Sequence, residues 1–252
     1  MGGVTVVKVG GNEVEDAGWV RDLALRLASA RPVVVVHGGG REVSALQAHF
    51  GVEPEWRDGL RVSSADTVRI AAMVLSGVVN KRLVSALLTA GADAIGLSGE
   101  DGALIMAEPA LDGALGRTGV VAHVRADLLR ALLAIDLVPV ISPISRGDDG
   151  APFNVNADDA AAAVAAALGA GRLLFVSNVA GVVDGDAPVR QLAVEETEAA
   201  IASGVITGGM APKVRAAARA AAAGVGDVRI GDLDLLSGGA GTRVLARATV
   251  LA

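Results

Sequence analysis

The chain has 252 residues, a formal charge of -6, 52% hydrophobic residues, 33 glycines, three histidines and no cysteine. Disulfides, thiol catalysis and thiolate metal sites are thereby excluded. Three histidines without ligand spacing disfavour a zinc centre, and an acidic chain with 2% aromatic residues and no tyrosine is a poor nucleic-acid binder. The longest uncharged run, 199–212, has 14 residues, short of the roughly 18–20 that a membrane span needs. No charged segment leads into an apolar N-terminal core, so the chain reads as a soluble cytoplasmic protein of one large domain or two joined lobes.

Residues 4–11 read as a short buried strand stopped by Gly10 and Gly11, where backbone can turn or come close to a ligand. A helix is expected over 16–30, with Trp19, Val20, Leu23, Leu25 and Leu27 at roughly helical spacing. The strand expected over 32–36 is wholly apolar, as parallel strands buried on both faces are. It runs into His37-Gly38-Gly39-Gly40 and a helix over 41–50, a unit that presents free backbone N–H groups to an anion. A polar, irregular patch holds Trp56, Gly59 and Arg61, and Ser63-Ser64-Ala65-Asp66 opens a helix that runs to 88. A strand over 94–97, short strands and turns over 103–124, a helix over 125–135 and a strand over 138–141 follow. Phe153-Asn154-Val155-Asn156-Ala157-Asp158-Asp159 begins an alanine-rich helix to about 168; capping accounts for one of these polar side chains but not for four. A strand over 173–176 leads into Ser177-Asn178-Val179-Ala180-Gly181. Next come a helix over 194–203, Thr207-Gly208-Gly209-Met210 opening a helix that carries Lys213, and strands near 228 and over 243–250. The alternation implies an α/β protein with a mostly parallel open sheet sandwiched by helices.

Lys8, Lys81 and Lys213 are the only lysines, against nineteen arginines (22 basic residues less 3). In such a composition a position that stays lysine points to a need for a compact ammonium rather than a planar fork. Asparagine is also scarce, at positions 12, 80, 154, 156 and 178. Familiar nucleotide motifs fail. No lysine follows a glycine as Walker A requires, residues 38–43 give only Gly-x-Gly-x-x-Val, and there is no Gly-x-Ser-x-Gly elbow. What remains is glycine turns at strand ends, two scarce lysines at opposite ends of the chain, and an Asn/Asp cluster. Phosphoryl transfer uses such parts: donors that cradle phosphates, cations for the transferring group, and a group that holds the cations in place.

Six motifs, Lys8-Val9-Gly10-Gly11, His37-Gly38-Gly39-Gly40, Gly59-Leu60-Arg61-Val62, Asn154-Val155-Asn156-Ala157-Asp158, Ser177-Asn178-Val179-Ala180-Gly181 and Gly209-Met210-Ala211-Pro212-Lys213-Val214, stand in the order found in the amino acid kinase family. The chain resembles that family over essentially its whole length, and is most similar to members that phosphorylate N-acetyl-L-glutamate. The resemblance implies ATP-dependent transfer to the γ-carboxylate of N-acetyl-L-glutamate, a step of arginine biosynthesis. Lys8 and Lys213 would each touch the transferring phosphoryl, and Asp158 would orient both. By the same resemblance, Gly10 and Gly11 donate N–H groups to the phosphates, while Asn178, Gly181 and Lys213 belong to the ATP site. Gly39, Gly40, Arg61, Asn154 and Asn156 would hold the acceptor, with Arg61 forking onto its α-carboxylate. Mg2+ would be held mainly by the nucleotide and water, not by protein ligands.

Residues 1–170 are expected to form an acceptor-binding and dimerisation lobe, and 171–252 an ATP-binding lobe, of a homodimer. The nearest rival is the kinase of lysine biosynthesis that acts on carrier-linked α-aminoadipate. Its members tend to have Asn-x-Asp-Gly-Asp where this chain has Asn154-Val155-Asn156-Ala157-Asp158. A non-catalytic nucleotide sensor on the same fold is a more distant rival. Arginine-inhibited members carry a helix ahead of the first strand, and with three residues before Val4 the expectation is indifference to arginine.

Overall fold

The structure, a computed structural model, describes residues 3–10, 13–57 and 60–247. β1 (Thr5–Val9) is buried throughout and leads to α1 (Ala17–Ser29), whose N-cap Asp16 accepts from the Trp19 N–H at 2.7 Å. β2 (Val33–His37) is equally buried, and α2 (Gly40–His49) starts at once after the glycine turn. The antiparallel pair β3 (Trp56–Arg57) and β4 (Leu60–Arg61) precedes α3 (Ala65–Ala72), capped by Ser64. A π-helical segment, Met73–Val79, joins α3 without a break to α4 (Asn80–Thr89). The chain continues through β5 (Ala94–Ser98), β6 (Ile105–Pro109), β7 (Thr118–Val124), α5 (Ala126–Ala134), β8 (Val138–Ser142), β9 (Ile144–Arg146), β10 (Pro152–Val155) and α6 (Ala157–Leu168). It ends with β11 (Arg172–Val176), β12 (Val183–Asp184), β13 (Ala187–Pro188), β14 (Gln191–Ala193), α7 (Thr197–Ala202), α8 (Met210–Ala222), β15 (Asp227–Gly231) and β16 (Thr242–Leu245).

Eight strands form a sheet in the order β14-β16-β15-β11-β1-β2-β8-β5, and every neighbouring pair is parallel except β15 with β16. β1 pairs along its whole length with both β2 and β11. Successive side chains leave a strand on opposite faces. Val6 therefore joins one core, with Val34, Val36, Phe175 and the alanines of α6 and α8. Val7 and Val9 join the other, with Leu23 and Leu27 of α1 and Val74, Leu83 and Leu87 of the α3–α4 run. Lys8 alternates with Val7 and Val9, so it leaves β1 on the α6–α8 side. Both those helices bury mainly alanine there, and single methyl groups allow helices to approach closely.

Asn154 stands on a strand, whereas the sequence suggested a polar lead-in to a helix. β10 pairs with β7 and β9, and β10-β7-β6-β9 close into a small barrel. The polar Asn154 between buried Phe153 and Val155 concealed a two-residue period. The pieces β12, β13 and β14 are too short to leave a pattern in the sequence. The last strand ends at Leu245, not 250; residues 248–252 lie outside the described residues. The Ala65–Thr89 run is long and apolar enough to cross a bilayer by length and composition, yet it packs on the sheet with Val68, Val74, Leu83 and Leu87 buried.

Asn80, fully buried, ties this run to three strands. Its Nδ2 donates to Val140 O at 2.9 Å and Leu97 O at 3.3 Å, and lies 3.1 Å from His37 Nε2. An amide N–H needs an acceptor, so Nε2 is the bare nitrogen and Nδ1–H faces Gly38 O at 3.0 Å. Burial, reinforced by Lys8 and Lys81, lowers the His37 pKa to about 4 in spite of that Gly38 bond. Asn80→Ala should cost about 1–3 kcal/mol by orphaning these acceptors. Denaturant unfolding reads this directly, and an unchanged midpoint would remove Asn80 as the tie.

Candidate functional site

The site begins where β1 ends. Lys8 reaches Asp158 in the first turn of α6, Nζ to Oδ1 2.8 Å, and Lys213 in the first turn of α8 reaches the same oxygen at 3.2 Å. The three side chains are 7%, 10% and 11% exposed, for Lys8, Asp158 and Lys213 in turn. Asn156 sets the position of Asp158: as N-cap of α6, its Oδ1 accepts from the N–H groups of Asp158 (2.8 Å) and Asp159 (3.3 Å). The capping role is thus Asn156's, and it occupies the side-chain oxygen.

Two ammonium groups and one carboxylate leave one positive charge over. Burial pushes the Asp158 carboxyl up, but Lys8 and Lys213 outweigh it and hold it below the usual range. Burial first, then repulsion from Lys8, lowers the Lys213 pKa to about 8 against the pull of Asp158. A polyanion at the triad would relieve that excess charge. The N-termini of α6 and α8 favour anions there as well.

Lys8 and Asp158 line a cavity of about 170 Å³ whose wall also includes Gly39, Gly40, Arg61, Asn154 and Asn156. Such a space suits a small acid and is below the usual size for drug-like ligands. Gly39 has φ +150°, and a Cβ on it would lie 2.9 Å from Leu75 Cδ2 and 3.0 Å from Val79 Cγ2. Only glycine lets the π-helical segment close on this turn.

Arg61 is 6% exposed. Its Nη1 donates to Gln47 Oε1 and its Nη2 to Gly40 O (3.1 Å) and Ser44 Oγ (2.8 Å), while the guanidinium stacks 4.4 Å from the Trp56 ring centre. Burial lowers its pKa, and among the described residues no carboxylate pairs with it. Asn154 Nδ2 donates to Ser63 Oγ at 3.1 Å, and the Ser63 and Thr118 hydroxyls both donate to Arg61 O.

Gly10 follows the first strand beside Lys8: a Cβ there would collide with Lys8 Nζ. Gly11 and Gly59 lie outside the described residues. Gly181 lines a second cavity, of about 490 Å³, with Val179, Asp232, Asp234 and Thr242. A Cβ on Gly181 would lie 2.7 Å from Thr242 Oγ1. Asn178 is exposed and outside that lining. Ser177 Oγ, just past β11 and level with Gly10, is buried with no hydrogen-bond partner among the described residues, a free hydroxyl at the strand ends. The sequence reading missed Gln47, Ser63, Thr118 and Thr242. Of these only Gln47 left a signal, a polar residue four after Val43 on the buried stripe of α2.

A model of the amino acid kinase family matches residues 3–232. The chain belongs to that family. A protein named acetylglutamate kinase from Roseiflexus castenholzii is 51% identical over 235 residues, covering 91% of this chain and 89% of that one. Another of that name, from Methanopyrus kandleri, is 43% identical over 249 residues, covering 95% and 99%. Among solved structures, smu.665 from Streptococcus mutans has a TM-score of 0.85 at 30% identity and covers 96% of this chain and 98% of that one. N-acetylglutamate synthase from Neisseria gonorrhoeae, solved with coenzyme A and N-acetyl-glutamate, shares the fold at TM-score 0.84 and 24% identity, with 98% and 60% covered.

The Lys213 shift has opposite consequences for stability and activity. Between about 8 and the ordinary 10.5 the unfolded chain binds more protons than the folded one, so this group makes stability rise with pH across that window. Phosphoryl-transfer kcat/KM, which reports the free enzyme, should fall above about pH 8 as the ammonium is lost. A profile flat to about pH 10 would separate the Lys213 charge from turnover.

Proposed function

We propose that the chain transfers the γ-phosphoryl of ATP to the γ-carboxylate of N-acetyl-L-glutamate, giving N-acetyl-L-glutamyl 5-phosphate in cytoplasmic arginine biosynthesis. The relatives named acetylglutamate kinase support this reading over nearly the whole chain, and the carrier-linked aminoadipate alternative is not favoured. The observation that carries it is the pairing of two cationic positions in one cavity, Lys8 with its surplus-charge triad and the acid-free Arg61. An acceptor with two carboxylates answers both. Its γ-carboxylate would face Lys8, its α-carboxylate Arg61, and its acetamide Asn154 and the apolar wall.

The acceptor carboxylate, with an ordinary pKa near 4.3, is ionised at neutral pH and needs no general base. One of its oxygens attacks the γ-phosphorus in line, the bond to the β–γ bridging oxygen breaks, and ADP leaves with that electron pair. The obstacle is the approach of one anion to another. In this reading Lys8 neutralises charge from the acceptor side, Lys213 from the nucleotide side, and Asp158 keeps both directed at the transfer. Gly10, Ser177 and the α8 N-terminus suit the phosphates, and the Gly181 cavity suits the rest of the nucleotide. Mg2+, when bound with the nucleotide, would supply further neutralisation at the phosphates. Among the described residues no group of three or more His, Asp or Glu is placed to hold a metal ion.

The first cavity is lined only by residues from 8 to 158 and the second only by residues from 179 to 242, which supports an acceptor lobe over 1–170 and an ATP lobe over 171–252. The edge strand β5, together with Met73, Val78 and Leu88 half-exposed on the α3–α4 run, supports a homodimer built through the acceptor lobe. Light scattering should give twice the 25.0 kDa chain mass, and Leu88→Lys should shift it toward the monomer; a wild-type monomer would refute the dimer.

An assay with Mg-ATP and N-acetylglutamate, glutamate, aspartate or α-aminoadipate should show preference for the first. Lys213→Met should then lower kcat far more than it raises either KM. A hundredfold loss, ~2.7 kcal/mol, is the scale for one charge-assisted contact in a closed site. Near-normal turnover would take Lys213 out of the mechanism.

A further inference from the structure

We infer that Gln47 sets acceptor specificity by holding Arg61 in place without neutralising it, so that the cavity selects a ligand bearing a free carboxylate at the Arg61 end. The inference rests on the proposed acceptor reading and extends it to a residue that touches no substrate: Gln47 is a positioning residue.

Gln47 is 1% exposed on the inner face of α2. Its Oε1 accepts from Arg61 Nη1 and its Nε2 donates to Thr67 Oγ1 at 3.3 Å. Thr67 is itself fixed by the cap of α3, with Ser64 Oγ 3.1 Å from its hydroxyl and accepting its N–H at 3.1 Å. The amide is therefore held at both ends, and Arg61 dictates its orientation, because only an oxygen can face the guanidinium, which leaves the amide N–H for the Thr67 hydroxyl. The other Arg61 partners, Gly40 O, Ser44 Oγ and the Trp56 ring, are also neutral. Three of its N–H donors are engaged in this way, and its charge is opposed by no carboxylate among the described residues.

A glutamate has nearly the same shape as glutamine and would fit this place. It would form a buried ion pair with Arg61 that satisfies the guanidinium internally, and the field that draws a ligand carboxylate would vanish. A neutral acceptor side chain at position 47 thus keeps the cation rigid and uncompensated, and a buried cation in that condition is stabilised by the first anion that fits. A methionine would leave the charge but lose the hold.

The test compares wild type, Gln47→Glu and Gln47→Met with two acceptors, N-acetylglutamate and its α-carboxamide. Loss of one charge-assisted contact corresponds to roughly ten- to hundredfold. Gln47→Glu should raise KM for N-acetylglutamate by that factor and leave KM for ATP in place. It should also bring the acid-to-amide ratio of kcat/KM toward one, with Tm equal to or above that of wild type. Gln47→Met should raise KM for N-acetylglutamate but retain the preference for the acid. If Gln47→Glu keeps the wild-type acid-to-amide ratio, the inference fails. It also fails if both variants lose Tm and weaken both acceptors equally, since that is a purely structural residue. Calorimetric titration with glutarate and no nucleotide gives a readout independent of turnover. Binding lost in Gln47→Glu supports the inference, and equal binding overturns it. A wild type that turns over neither acceptor would refute the proposed reaction instead, and the glutarate titration would still decide the role of Gln47.

Discussion

A single carboxylate oxygen, Asp158 Oδ1, is shared by two ammonium groups from opposite ends of the chain. Two like charges about nine-tenths buried do not tolerate each other without it: removing one member of a buried ionic group is among the costlier changes a protein can suffer. The rest of the architecture can be understood as what brings these three groups together. β1 must be central so that Lys8 is buried between parallel neighbours. α6 and α8 must lie side by side on the Lys8 face of the sheet, and their alanine-rich contact allows the first turns of both to reach one point. The composition bias that looks like low complexity in the sequence is thus a packing requirement of the site.

What was legible in the sequence follows from the range of the forces involved. The central strands were plain because each is apolar on both faces, and the helices because their burial is periodic. Lys8 and Lys213 stood out by scarcity in an arginine-rich chain, and Asp158 by its place in a polar cluster at a helix start. The setting of Arg61 was not legible. Gln47, Ser44, Ser63, Thr118 and Trp56 converge on it from α2, β3, β7 and the loop before α3, and no local pattern records a contact made only after the chain has folded. Gly39 is an intermediate case. Its need for a special backbone was readable, but the reason, the π-helical Leu75 and Val79 pressing on it, was not. Asn154 misled because one polar side chain inside a four-residue strand is enough to hide its period.

Two kinds of cation meet at the site, Arg61 and Lys8 in the wall of one cavity and Lys213 joined to Lys8 through Asp158, and the protein treats them differently. Arg61 is fixed by neutral oxygens and an aromatic face, so its charge is fully available to a ground-state ligand; for the proposed acceptor this is binding, felt equally before and during transfer. The lysines share a carboxylate, so part of their charge is already spoken for in the empty site. Each gains most when negative charge accumulates between them, which for the proposed reaction happens as the acceptor oxygen approaches the γ-phosphorus. Interactions that strengthen in the transition state raise kcat, whereas uniform ones lower KM. For the proposed reaction, the distinction between a guanidinium held by amide and hydroxyl oxygens and ammonium groups held by a carboxylate would therefore be a division between recognition and catalysis, made with pairing partners and not with the cations themselves.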